Sequence, residues 1–205
     1  MSSQAVLITG AATRIGAEMA RALRLDGWAV CIHYNRSKDK AEALCQDIGA
    51  TYVQAELGDT AALGTAIERA SSALGQPLTA LINNASTFEP DHIGNMSQET
   101  YDLHLDINLR APVFLAQDFA AHCKTHNIKD GHIINIIDQR VLKLNPTYFS
   151  YNLSKSALYT ATQTLAQSLA PNIRVNAIGP GPTLRNMGQS EEMFSAEAAH
   201  TLLER

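Results

Sequence analysis

Six short apolar runs, separated by longer stretches of helical periodicity, limit what this chain can fold into more than any other feature. The runs are Ala5–Thr9, Ala29–Tyr34, Tyr52–Gln54, Ala80–Asn83, His132–Ile137 and Arg174–Ile178. Several are apolar along their whole length instead of alternating, the pattern of strands buried on both faces. Helices are expected over Ile15–Leu25, Lys38–Ile48, Thr60–Leu74, Gln98–Lys124, Ser150–Leu169 and Glu191–Leu203. In the first of these, Ile15, Met19, Ala22 and Leu23 share a face, and Gly27 suits the C-terminal turn. Strands each followed by a helix imply an α/β fold, a single doubly wound parallel sheet with helices on both faces. The stretch Gly179-Pro180-Gly181-Pro182, with the residues after it, is expected to be a loop.

The 205 residues suffice for one sizeable core, so residues 1–205 are expected to form a single domain. A net charge of −4 provides no basic surface for nucleic acid, and no nucleic-acid partner is expected. No apolar stretch approaches the roughly 18 residues of a membrane span, and Met1-Ser2-Ser3-Gln4 lacks a charged leader region. The expected location is therefore the cytoplasm, with no membrane partner. Cys31, Cys45 and Cys123 are scattered and odd in number, which fits reduced thiols better than a disulfide frame or zinc site. No metal is expected.

Ligands of open parallel sheets bind at the carboxyl ends of the strands, so the residues after each run carry the functional information. The first run leads into Gly10-Ala11-Ala12-Thr13-Arg14-Ile15-Gly16 and then a helix. Small residues let the backbone approach a pyrophosphate, and a helix N-terminus supplies free N–H groups. The segment departs from G-x-G-x-x-G in placing Arg14 where a middle glycine would stand. After the second run, His33-Tyr34-Asn35-Arg36-Ser37 has no acid at the strand end to take a ribose 2′-hydroxyl. Asn35, Arg36 and Ser37 offer donors to a 2′-phosphate instead, so NADP(H) is the expected cofactor. Lys38 is read as a solvated charge that starts a helix.

The later strand ends hold Asn84-Ala85-Ser86, Asp138 and, further on, Tyr151-Asn152-Leu153-Ser154-Lys155, with Asn108 in the long central helix. Tyr151 and Lys155 are four apart and share a helix face. An ammonium near the phenol favours the phenolate, and the tyrosine pKa is expected to fall from its ordinary value near ~10. Tyr151 would then be a usable proton donor.

Taken together, from Ala5 to about Leu184, these motifs resemble the short-chain dehydrogenase/reductase family, with its Rossmann-type fold. The resemblance implies that Lys155 also holds the nicotinamide ribose and that Asn108 steadies a water-linked proton path from that lysine. Asn84, Ala85 and Ser86 would border the cofactor, and Pro180, Gly181 and Thr183 would lie beside the nicotinamide carboxamide. It also implies a homotetramer or homodimer. The family usually has a serine near the end of the fifth strand, where this chain has Asp138; the nearest serine, Ser150, directly precedes Tyr151. An Asp thirteen positions before the tyrosine resembles the pteridine reductase branch, as do the Arg14-containing loop and the His33–Ser37 segment. In that branch an aromatic residue at the position of Phe88 stacks on the pterin. Phe88 is thus a candidate platform, with Arg14 and Ser86 as polar contacts; the alternative for Phe88 is a core-filling ring.

Asp138 has two readings, a residue that caps a turn and a residue that takes part in chemistry. A carboxylate can accept the N–H groups of a nitrogen heterocycle and relay a proton through Tyr151, roles that suit a serine hydroxyl less well. The expectation is an NADPH-dependent reductase of a small molecule, a dihydropterin, with Asp138 and Tyr151 as a coupled proton-delivery pair. A carbonyl or 3-oxoacyl reductase and a dinucleotide-binding protein without turnover are the alternatives. Met187, Met193 and Phe194 either line the pocket or pack. Relatives usually continue with a further strand beyond Leu202-Leu203-Glu204-Arg205, so either the sequence omits a tail or the protein is a short form, and in the second case an unpaired sheet edge is expected.

Overall fold

A computed structural model of the chain describes residues 4–181, 183–184 and 190–199. Within it six parallel strands, β1 (Ala5–Ile8), β2 (Ala29–Tyr34), β3 (Thr51–Gln54), β4 (Ala80–Asn83), β5 (Gly131–Ile136) and β6 (Ile173–Ile178), lie in the order β3-β2-β1-β4-β5-β6. The order reverses between β1 and β4, which places the ligand crevice above the ends of those two strands. Alternate residues of a single strand enter different cores. Ala5 and Leu7 join one cluster with Leu81, Ile133 and Phe119, and Val6 and Ile8 join another with Val30, Ile32 and Ala20. That division explains the lack of polar alternation, since each strand interior meets helices above and below. Each buried Leu, Ile or Val contributes about 1.5–3 kcal/mol.

One face carries α1 (Arg14–Leu25) and α2 (Lys38–Ile48), and the other carries α4 (Ala66–Leu74), α6 (Ala111–Thr125) and α7 (Phe149–Leu169). The helix expected over Thr60–Leu74 is two pieces, α3 (Thr60–Leu63) and α4. Asp59 caps the first through the N–H groups of Ala61 and Ala62, and Thr65 turns its hydroxyl back onto the Ala62 carbonyl at 3.1 Å, where the chain breaks. The helix expected over Gln98–Lys124 is interrupted as well: α5 (Gln98–Leu105) passes through a π-helical turn, Asp106–Arg110, into α6. Pro112 has no N–H to give to the carbonyl four residues earlier, that of Asn108, so a regular α-helical ladder could not continue here. The last helix, α8, is described over Glu191–Ala199, and its expected extension to Leu203 lies outside the described residues. Among the described residues β6 ends the sheet, with Arg174 and Asn176 exposed. No helix among them is long and apolar enough to cross a membrane.

All three cysteines are free and buried. Glu68, His122 and His126 bring potential ligand atoms within 4.8 Å of one another. However, His122 Nε2 accepts the N–H of Leu78 at 3.0 Å, which makes Nδ1 the proton-bearing nitrogen facing Glu68 at 3.1 Å. This cluster is a hydrogen-bonded junction between α4 and α6.

Candidate active site

The carboxyl ends of the strands surround a cavity of about 650 Å³. At its floor lies the segment after β1. Gly10 has φ +62°, and a Cβ there would stand 2.8 Å from Ala85 Cα. At Gly16 a Cβ would meet Asn84 Nδ2 at 2.6 Å and Ala11 Cα at 2.7 Å. Both glycines are therefore required by close approach of backbone to backbone. Asn84 and Ala85 serve this loop directly: their N–H groups donate to Thr9 Oγ1, and Asn84 Nδ2 donates to the carbonyls of Thr9 and Gly10. Arg14 enters α1 with φ +56°, and its guanidinium donates to the Leu184 carbonyl at 3.2 Å, linking the first loop to the segment after β6. Ile15 lines the cavity beside it.

The second strand adds His33, which sequence reading passed over as part of the cofactor-selecting segment. Its Nδ1 accepts the Gly10 N–H at 3.1 Å, and its Nε2 faces the Ala55 carbonyl at 3.0 Å. The signal was available, a polar residue inside an apolar run two positions before the selecting residues. Burial holds the imidazole below the ordinary histidine value of 6.5, opposed by the Ala55 carbonyl. Because the folded value is depressed, this stabilisation is present above 6.5 and is lost as pH falls through the folded value. Buried His104, also depressed by desolvation, adds to the same trend. Thermal melts between about pH 8 and pH 5 should show stability falling on the acid side, with the stabilisation conferred by added NADP+ falling in parallel. A flat profile would contradict the role of the His33–Gly10 bond.

Arg36 and Ser37 are exposed at the rim of the cavity, free of any acid at the strand end. Asn35 also lines the cavity, and its side-chain amide donates to Glu56 Oε2 at 2.7 Å. Glu56 and Leu57, at the end of β3, line the same end of the cavity. They follow the strand-end rule as well as the other sites do, and the sequence reading missed them because the third run is short.

At the opposite end Asp138 both caps a turn, as one of its sequence readings has it, and bonds Tyr151. Oδ1 accepts the Arg140 N–H at 2.8 Å and so caps the 3₁₀ turn Gln139–Val141, and Oδ2 accepts the Tyr151 hydroxyl at 2.8 Å. Arg140 Nη1 donates to the same Oδ2 at 3.2 Å. Lys155 makes no hydrogen bond to the phenol. Its side chain reaches across to β5, where Nζ donates to the Ile136 carbonyl at 2.8 Å, and it lies 5.8 Å from the Tyr151 ring centre. The Tyr151 phenol is raised, not lowered: burial is the main cause, and the charge and hydrogen bond of Asp138 add to it. Lys155 is itself lowered to about 8 by complete burial, partly offset by Asp138.

Asn108, fully buried in the π turn, makes no side-chain bond to Lys155. Its Oδ1 accepts from Ser86 Oγ and the Thr87 N–H, and its Nδ2 donates to the Thr87 carbonyl and Ser154 Oγ. It ties the segment after β4 to α7. Ser150 cannot stand in for the family serine, because its hydroxyl is buried between Asp91 and His104 Nδ1. Phe88 lines the cavity and stacks one face on Tyr148, with centroids 4.1 Å apart and planes 9° apart, while meeting Tyr151 edge-on at 4.6 Å. Pro180, Gly181 and Thr183 line the same cavity, together with Gln139 and Phe194. Met193 is exposed, whereas Met187 and Pro182 lie outside the described residues.

With this geometry in place, comparison with known proteins defines the class. A profile described as short chain dehydrogenase matches residues 4–195, and the chain belongs to that family. Among solved structures, FolM alternative dihydrofolate reductase 1 from Brucella canis, complexed with NADP, superposes with a TM-score of 0.93 at 43% identity, over 98% of this chain and 81% of that one. An uncharacterised oxidoreductase of Bacillus subtilis is 34% identical over 86% of this chain and 74% of its own length. A dihydromonapterin reductase of Enterobacter sp. (strain 638) is 32% identical over 88% and 75%, respectively. These neighbours support the pteridine reductase branch read from Asp138.

Proposed function

We propose that this protein is an NADPH-dependent oxidoreductase that reduces the C=N bond of a dihydropterin. The observation that carries the reading is the Asp138 carboxylate joined to the Tyr151 hydroxyl at 2.8 Å, beside the ring of Phe88. The donor set fits NADP(H). The Gly10–Gly16 loop and the start of α1 would hold the pyrophosphate, with Arg36 and Ser37 on the 2′-phosphate and Glu56 and Leu57 near the adenine. Lys155 and Tyr151 would hold the nicotinamide ribose, and Pro180, Gly181 and Thr183 the carboxamide. Bound there, the cofactor supplies the hydride for the substrate carbon.

Phe88, backed by Tyr148, presents a flat apolar surface suited to a heterocycle. Asp138 accepts N–H groups of that ring, and Tyr151 gives its proton to the nitrogen of the reduced bond. Asp138, with 14% of its side chain exposed, connects Tyr151 to solvent for reprotonation. Dimer or tetramer assembly belongs to the same proposal, supported by the exposed apolar side chains of Leu103, Phe114, Leu153 and Tyr159 on α5, α6 and α7. Following NADPH oxidation with dihydrobiopterin, dihydromonapterin, dihydrofolate and a simple ketone tests the substrate class. Turnover of at least one dihydropterin is expected, and activity confined to the ketone would sink the reading.

A further inference from the structure

When Tyr151 gives up its proton, a phenolate forms within hydrogen-bond distance of the Asp138 carboxylate. Two adjacent anions in a half-buried site oppose that step unless a cation balances them. Lys155, with Nζ 5.8 Å from the Tyr151 ring centre, adds positive charge from one side, but it donates to the Ile136 carbonyl and makes no hydrogen bond to the pair. Arg140 is well placed. Its backbone N–H holds Oδ1 of Asp138 at 2.8 Å, and its guanidinium shares Oδ2 with Tyr151 at 3.2 Å. The guanidinium carbon also lies 5.2 Å from the Phe88 ring centre and 5.7 Å from that of Tyr148, which restricts its movement.

We propose that Arg140 is a positioning residue, which acts through Asp138 to balance the charge of the Asp138–Tyr151 pair during proton delivery. The proposal rests on the reading of that pair as the proton donor. The other titratable and charged groups around the pair do not fill this place. His104 on α5, with its ring centre 6.0 Å from that of Tyr151, is bonded to Ser150 and to the Glu89 N–H. Asp91 holds Ser150, and Arg14 bonds the Leu184 carbonyl. In keeping with the geometry, Arg140 is the group that draws the Tyr151 phenol down against burial and Asp138.

The test compares Arg140→Gln, which removes the charge, with Arg140→Lys, which keeps it, using whichever substrate of the panel the wild-type protein reduces. In Arg140→Gln, kcat should fall roughly tenfold and the alkaline limb of its pH profile should move up by about one unit. The solvent isotope effect on kcat should rise while KM for NADPH stays near wild type, and Arg140→Lys should recover much of the loss. Equal losses in both variants with an unchanged pH profile and isotope effect would reduce Arg140 to a structural part of the turn, and overturn the proposal. Substrate identity is decided separately, because a protein that reduces only the ketone refutes the pterin reading and still allows this comparison. Should no substrate turn over, NMR of ring-labelled tyrosine decides: the Tyr151 Cζ resonance, identified through Tyr151→Phe, should move downfield in folded Arg140→Gln. An unmoved resonance would overturn the proposal.

Discussion

Tyr151→Phe should lower the rate of substrate reduction by about 10²–10⁴-fold, with NADPH binding changed only a few-fold. The substitution keeps the ring that packs edge-on against Phe88 and removes only the hydroxyl that reaches Asp138. Asp138→Asn is the matching change, since it preserves an oxygen acceptor for the Arg140 N–H that caps the turn while removing the charge. If the two groups act as a unit, the double variant should be little slower than the worse single variant, because either loss already disables proton delivery. Stopped-flow rates of NADPH oxidation, with cofactor affinity from fluorescence titration, provide the measurement. Additive losses would separate the two residues, and near-normal turnover by Tyr151→Phe would remove the phenol from the chemistry.

The second large effect is expected at the opposite end of the cavity. Gly16→Ala should weaken NADPH binding by more than ~100-fold and destabilise the protein by about 1–3 kcal/mol, the range for forcing extra carbon into a packed site. A Cβ there would lie 2.6 Å from Asn84 Nδ2, 2.7 Å from Ala11 Cα and 2.9 Å from the Gly10 carbonyl oxygen. Two of these three neighbours are backbone, so no side-chain rotation relieves the contact and the loop after β1 must move. That loop is joined to β4 through Thr9 and Asn84 and to β2 through His33, so the displacement spreads to both neighbouring strand ends. Isothermal titration with NADP+ and a thermal melt would report the two consequences. Wild-type affinity in Gly16→Ala would show that the loop is softer than its packing indicates.

Much of the fold was legible because strand burial and helix amphipathicity are written locally. Each of the six runs became a strand with ends within a few residues of expectation. The breaks in the two long helices were less legible. Gly64-Thr65 and Pro112 are visible as weak points, but whether a chain bends, ends or slips into a π turn at such a point depends on what its neighbours require. At Asn108 the requirement is tertiary, a side chain serving the segment after β4 and α7 together.

The candidate site divides in the same way. From residue types and spacing came the strand ends that line the cavity and the absence of an acid before Arg36, while the pairing of Asp138 with Tyr151 across thirteen positions came from the family resemblance. Charge relations were not available at that level, because they depend on where long side chains end. A shared helix face made Lys155 the natural partner of the phenol, yet its four-carbon stem reaches past Tyr151 to the Ile136 carbonyl. Arg140, two residues beyond Asp138 and unremarkable in a linear reading, turns back onto the same carboxylate oxygen. Sequence periodicity determined which elements form and which strand ends meet at the crevice, because burial acts on each segment by itself. Only the tertiary structure decided which cation meets the Asp138 carboxylate, because electrostatic interactions depend on distance through space and on the water excluded between the groups.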